Sequence, residues 1–487
     1  MTTFERAEAA VAASRIDAAL EHAKREPYWM DDARRPEALP AARGSLRADL
    51  AVVGGGYTGL WTALMAKERD PDRRVVLLEA NRIGWAASGR NGGFCEASLT
   101  HGASNGERHL PDEVAQLHEL GIQNIREFGE TVRRYGVDCE WSESGVIKVA
   151  TEPHQAGWLM RTAAQHPDAV YLDRERMRAE VDSPVFHAGL LELEGNVMVN
   201  PARLAWELRR VCLQLGVEIY EHSPVIGLKA EPDDILLTVG GVERRTAQQP
   251  LATLSAKRVA LATNVFPSLL KRSRLFTVPV WDYALMSNPL TPEQSQSLGW
   301  KGRQGLADLN NRFHYVRITR DDAGRDRILY GGYDAVYHYG KGLKTEYYHR
   351  EETYRRLVAH FYETFPVLGD IGFSHAWGGA VDSCSRFFSF FTRAHGDRVV
   401  ASAGYTGLGV GATRFGANVT LDLLDGLDTE RTRLDLVKKK PIPFPPEPLA
   451  WLGVRITTAE MNRSDRRQGK RGLWLSTLDA IGMGFDS

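Results

Sequence analysis

The sequence predicts an α/β fold in which a Rossmann-like domain is interleaved with an α+β domain built on a mainly antiparallel sheet. Three observations carry that prediction. Short, apolar, β-branched runs at 50–53, 74–78 and 398–403 suit strands buried on both faces, as in a parallel sheet. Two of them lead directly into glycine-rich turns and then into helix-like segments. Residues 141–195 and 271–365 instead alternate apolar and polar positions with interspersed aromatics, which is the pattern of antiparallel strands. The chain therefore crosses between two domains several times.

In chain order the elements divide as follows. Residues 1–47 form an N-terminal extension, helical over 4–24 and then Pro-bounded from Pro27 to Pro40. Segments 48–140, 196–270 and 366–436 build the Rossmann-like domain, and 141–195 and 271–365 build the antiparallel one. Asn200 and Pro201 open a helix in the second of the Rossmann-like segments, because a side-chain cap followed by proline suits a helix start. The tail, 437–487, begins with the proline-rich run Pro441 to Pro448, too proline-rich for helix or sheet. It ends in a basic cluster, Arg466, Arg467, Lys470 and Arg471, read as a solvated face.

Composition excludes several function classes. With 487 residues, 43% hydrophobic and 25% charged, the chain has material for a sizeable core and is not globally disordered. Sixty-one Lys and Arg against 62 Asp and Glu leave a net charge of −1, so no basic field points to nucleic acid or an anionic membrane. No 7- to 15-residue apolar leader segment and no membrane-length apolar run is visible, and a cytoplasmic protein is expected. Four dispersed cysteines and no paired-histidine spacing argue against disulfides and a bound metal.

The chemistry concentrates in glycine. Gly54-Gly55-Gly56-Tyr57-Thr58-Gly59 follows the strand at 50–53, and Glu79 ends the next strand, before Ala80. With 46 glycines in 487 residues, three at fixed spacing arise by chance roughly 0.4 times, so the motif alone carries little. Its placement between strand and helix, with an acid some 20 residues on, carries much more. Gly54 permits the tight turn, Gly56 lets backbone approach a pyrophosphate, and Gly59 lets helix and strand pack closely, while Tyr57 and Thr58 start the helix. Glu79 would accept hydrogen bonds from a ribose 2′-OH, favouring FAD or NAD over NADP. The loop Ser88, Gly89, Arg90, Asn91, Gly92, Gly93 suits a flat ring and a diphosphate, which favours FAD.

The strand with GGGYTGL, Glu79 and SGRNGGF resembles the FAD-dependent oxidoreductases of the D-amino acid oxidase superfamily, nearest to gamma-glutamylputrescine oxidase-like amine oxidases. The resemblance extends over nearly the whole chain. It implies that Val225 lies by the adenine, that Thr263 completes the FAD domain, and that Gly404, Tyr405, Thr406, Gly407, Leu408 and Gly409 face the flavin, where a helix start stabilises negative charge. Non-covalent FAD is expected, because Asp382 stands where sarcosine oxidases carry a flavin-linking cysteine. Candidate catalytic residues are Tyr315, Arg317, Trp377, His314 and Asp382. On the strand from 313 to 319, Phe313, Tyr315 and Arg317 share one face and His314 and Val316 the other, and Tyr315's face is favoured for substrate.

The implied reaction oxidises the CH–NH bond of a small-molecule amine to an imine by hydride transfer to flavin N5, with hydrolysis to aldehyde or ketone. Oxygen or another electron acceptor completes the cycle. Gly411 falls where sarcosine oxidases hold an α-carboxylate with lysine, and Leu329 where they place an oxygen-activating lysine. Both absences point to an amine without an α-carboxylate and to slow reaction with oxygen or a different acceptor. Alternatives are an amino acid or hydroxy-compound dehydrogenase, or an FAD-bearing subunit of an electron-transfer complex.

Overall fold

Strand Gly44–Val53 is the spine of the first sheet. It pairs in parallel with Ala252–Leu261 on one side and Val75–Leu78 on the other. Val399–Ala403 and Glu218–Tyr220 extend the parallel order outward. Phe390–Ala394 closes one edge antiparallel, and the strands Ile235–Val239 and Val225–Ala230 branch from Ala252–Leu261. Leu50 and Val52 pack with helices Tyr57–Arg69, Pro201–Gln214 and Gly409–Leu424 in one apolar cluster, whereas Ala51 and Val53 join a cluster on the opposite face. Burial on both sides is why 50–53 reads as an unbroken apolar run.

Among the described residues the second sheet has eight strands, Phe373–Cys384, Thr277–Ser287, Asp326–Gly332, His314–Arg320, Gly305–Asp308, Val146–Ala150, Ala188–Glu192 and Ala169–Leu172, in that spatial order. All neighbours are antiparallel except Gly305–Asp308 with Val146–Ala150. Helix Glu351–Thr364 covers one face, packing Leu357, Phe361 and Phe365 beside Tyr283, Leu285 and Tyr330. The other face is turned toward the glycine turns. A short ladder, Phe94–Glu96 with Asn196–Met198, lies between the two sheets in sequence and space.

The computed structural model describes residues 1–166, 168–241, 251–480 and 482–483. Residue 167 of the predicted 141–195 segment, 242–250 of 196–270, and 481 and 484–487 of the tail lie outside the described residues.

Three expectations are corrected. The helix over 4–24 is two helices, Thr3–Ala10 and Ala13–Leu20, broken by extended Val11. In a continuous helix Ile16 would sit about 120° round from Phe4. The break lets Phe4 and Ile16 reach the same core cluster. The spine strand opens at Gly44 rather than 50, because it pairs in register with Ala252 onward although residues 44, 45 and 47 are exposed. Residues 373–384, expected in the FAD segment 366–436, pair along the whole of Thr277–Ser287 and belong to the antiparallel sheet.

Candidate functional site

Gly54 sits at φ +113°, and a side chain there would strike the Ala262 carbonyl and approach the Thr263 amide at 3.6 Å. A Cβ on Gly59 would overlap the Gly54 carbonyl oxygen, so the helix Tyr57–Arg69 meets the strand end backbone to backbone. Gly56 caps that helix without a side-chain acceptor, while the Tyr57 amide donates to Ser88 Oγ at 3.0 Å. The Tyr57 hydroxyl donates to the Pro201 carbonyl at 2.8 Å and belongs to the core.

Glu79 is buried and accepts from the amides of Gly55 at 2.6 Å and Asn81 at 2.8 Å and from the Trp85 indole at 3.0 Å. Burial pushes its carboxyl up in spite of these bonds. Three of roughly four acceptor positions are used, so one is left for a ribose hydroxyl. Ala80 is exposed next to it, and Val225 begins the branching strand.

The loop from Ser88 to Gly93 is tied down by its own polar groups. Arg90 Nε donates to the Trp85 carbonyl at 2.9 Å, its Nη1 to Gly378 at 3.2 Å, and its guanidinium lies 4.3 Å from the Tyr348 ring centroid. Asn91 donates to Ala87 and Ser88 carbonyls and accepts from the Gly93 amide at 2.8 Å. The donors that sequence assigned to FAD thus shape the loop that would hold it. Gly89 lies at the end of this turn, buried against Met30.

Tyr315 and Arg317 do share the sheet face turned to this loop. A Cβ on Gly92 would lie 2.9 Å from the Tyr315 ring, and Arg317 donates to the Val199 carbonyl at 2.6 Å close under Gly93. Tyr315 crosses the neighbouring strand at Gly331, whose Cβ would be 2.6 Å from the phenol oxygen, and donates to Asp282 Oδ2 at 2.7 Å. Asp282 also accepts from the Tyr283 amide. The protein around it pushes its carboxyl up to about 6, outweighing both bonds. Arg317 is buried, which lowers its guanidinium to about 10, and its Nε finds no partner among the described residues.

The remaining catalytic candidates make other contacts. His314 points to the opposite face, bonded to Asp308 at 2.6 Å and to His360 at 2.9 Å, as the strand alternation requires. Trp377 is buried with Trp29, Leu329 and Met286, and its indole donates to the Arg90 carbonyl at 2.8 Å. It positions the loop. Asp382 accepts from the Gly404 amide at 2.6 Å, and burial pushes its carboxyl up to about 6. It shapes the second glycine turn, where Gly404, Thr406 and Gly407 all have positive φ. There the Tyr405 ring is buried against Gly416, and Leu408 caps the helix Gly409–Leu424 without a side-chain bond.

Two residues escaped sequence reasoning. Trp29, in the Pro-bounded approach, donates to the Asn91 carbonyl at 3.0 Å and stands 5.3 Å from Arg317. Nothing in its local sequence signals that partnership. Asp282 was marked by an acid within the strand Thr277–Ser287, between Trp281 and Tyr283, and alternation places it opposite Gly379 on the Tyr315 face.

The residues fit FAD: two glycine turns without side chains to obstruct a ligand, two helix starts, and a buried acid with a spare lone pair.

Among curated relatives, gamma-glutamylputrescine oxidoreductase of Escherichia coli is 28% identical over 416 residues, covering 83% of this chain and 89% of that protein. The probable oxidoreductase OrdL of Haemophilus influenzae is 23% identical, with the same two coverages. Glycine oxidase from Geobacillus kaustophilus superposes with a TM-score of 0.63 at 18% identity, over 79% of this chain and 96% of that one, and shows the fold alone. The model of the DAO family, described as FAD dependent oxidoreductase, matches residues 49–423, and the chain belongs to that family.

Proposed function

We propose that the protein oxidises an amine lacking an α-carboxylate to an imine, which water then hydrolyses to a carbonyl compound. The observation that carries this reading is the Tyr315–Asp282 pair on the sheet face against Gly92. The named activity of the Escherichia coli relative, on gamma-glutamylputrescine, supports amine chemistry. FAD, when bound, supplies the hydride acceptor. The glycine turns, the Glu79 carboxylate and the start of Gly409–Leu424 would hold it.

The chain's own task begins with a proton. An ammonium substrate must lose N–H before its nitrogen lone pair can assist loss of hydride. Tyr315 takes that proton at its phenol oxygen as it passes its own to Asp282 Oδ2, so the phenol is unchanged and the carboxylate ends protonated. Arg317 and Trp377 fix the loop from Arg90 to Gly93 above the pair.

Other parts of the reading follow from particular side chains. The parallel sheet forms the Rossmann-like FAD domain, and the antiparallel sheet contributes the substrate wall. FAD is held without a covalent bond, since the buried Cys384 thiol turns to the Phe388 carbonyl at 3.1 Å and burial pushes its pKa up. Leu329, buried beside Trp29 and Trp377, leaves an apolar spot that favours an electron acceptor other than oxygen. The four cysteines are free and buried, which suits the cytoplasm.

Anaerobic mixing of the flavin-loaded protein with a panel of amines and amino acids tests the reading. Amines should bleach the oxidised flavin band, and sarcosine or D-amino acids should not. Efficient bleaching by amino acids alone would overturn it.

A further inference from the structure

Strand Phe94–Glu96 follows directly from the loop that carries Gly92 and Gly93. Its alternation divides three side chains. Cys95 is fully buried in the cluster around the parallel sheet, so Phe94 and Glu96 lie on the opposite face. Phe94 confirms the direction, because its ring lies 6.1 Å from that of Tyr315 and against Gly305. Glu96 is thus on the side of the strand that meets the substrate wall.

Its backbone and its carboxylate both matter. The Glu96 carbonyl fills the space at Gly411, in the first turn of Gly409–Leu424, where any Cβ would overlap it. A lysine cannot be accommodated there without moving this strand. The carboxylate accepts no hydrogen bond among the described residues, and its electrostatic neighbours are Lys148 and Glu192. Lys148 is already paired with Glu192 at 2.9 Å, so its ammonium is committed to another carboxylate. A partly buried acid without its own donor is costly unless a cation arrives, and burial accordingly pushes the Glu96 carboxyl up.

We propose that Glu96 is a specificity-determining residue that pairs with a second, distal ammonium group of the substrate, so that the protein selects diamines or polyamines. The inference rests on the amine-oxidising reading above and names its substrate class. Where the sarcosine oxidases are expected to meet a carboxylate with a cation, this site meets a cation with a carboxylate. An α- or ω-carboxylate is then repelled, and a monoamine leaves Glu96 unpaired.

Three probes with the same carbon chain, butylamine, diaminobutane and aminobutyrate, separate the possibilities in anaerobic flavin reduction by the holoprotein. Diaminobutane should reduce the flavin at least tenfold more efficiently than butylamine, and aminobutyrate should be poorest. In Glu96→Gln the diamine-to-monoamine ratio should fall at least tenfold, and in Glu96→Lys the order of diaminobutane and aminobutyrate should reverse. Flavin absorbance of both variants shows that the site has folded, and Glu96→Asp should keep the diamine preference. If butylamine and diaminobutane reduce wild type equally, or Glu96→Gln leaves the ratio unchanged, the role of Glu96 falls while amine oxidation stands. If no amine reduces the wild-type flavin, both readings fall.

Discussion

The two faces of the antiparallel sheet use the same residue types to opposite ends. On the face under helix Glu351–Thr364, polar groups form a closed chain. Asp308 meets His314 at 2.6 Å, His314 meets His360 at 2.9 Å, and His360 meets Glu8 at 3.2 Å. Burial lowers His360 to about 4, and the rings of Phe4 and Tyr333 enclose the pair. Every ring nitrogen has a partner. On the face toward the glycine turns, Arg317 Nε has none among the described residues, and Asp282 is partly exposed beside Tyr315. A saturated polar network spends its bonding on the fold, while an open one keeps capacity for a ligand.

Substitutions on each face put that contrast to the test through their effect on flavin chemistry. Gly59→Val should have the largest effect, because its side chain drives the helix away from Gly54. The protein should purify with its ratio of 450 to 280 nm absorbance lowered to that of a flavin-free protein, and a full flavin complement would show that the close approach is dispensable. Tyr315→Phe should keep its flavin yet slow amine-dependent reduction about 100-fold, or roughly 2.7 kcal/mol. Reduction at the wild-type rate would remove Tyr315 from the reaction. The pH profile is a milder probe. Since Asp282 must be ionised to receive a proton and its pKa is raised to about 6, reduction should be lost as pH falls through 6, about tenfold per unit below it. Asp282→Asn should abolish that limb, whatever rate remains. His360→Leu should have the smallest effect on the flavin, with reduction within twofold of wild type. By removing the partner of His314 Nε2 and of Glu8 Oε1, it should cost about 2 kcal/mol in denaturant unfolding. A large kinetic defect with unchanged stability would invert the contrast between the faces.

Legibility in the sequence follows the range of the interaction. Gly54, Gly56, Gly59 and Glu79 were readable because strand, turn and helix are consecutive and the steric demand on each glycine is local. The face shared by Tyr315 and Arg317 was readable from alternation within one strand, which also set His314 apart. That the polar atoms of Trp377 and Asp382 serve the Arg90 carbonyl and the Gly404 amide was not readable. Those partners lie 287 residues before Trp377 and 22 after Asp382. Neither distance leaves a mark in local pattern. The strand Phe373–Cys384 was assigned to the wrong domain for the same reason, since only its pairing with Thr277–Ser287 declares its sheet.

Trp29 has a consequence for the order in which the molecule is made. Its indole holds the Asn91 carbonyl, and its ring is enclosed by Ala202, Leu329 and Trp377. During synthesis at about 5–20 residues per second, the interval between residues 29 and 377 is roughly 20 to 70 s. Throughout that time the loop beside the first glycine turn lacks the Trp377 donor, and until Leu329 and Trp377 are made the Trp29 ring lacks side chains that enclose it. The loop made early in synthesis therefore waits on a residue made much later, and it acquires its final shape only after the strand Phe373–Cys384 has emerged.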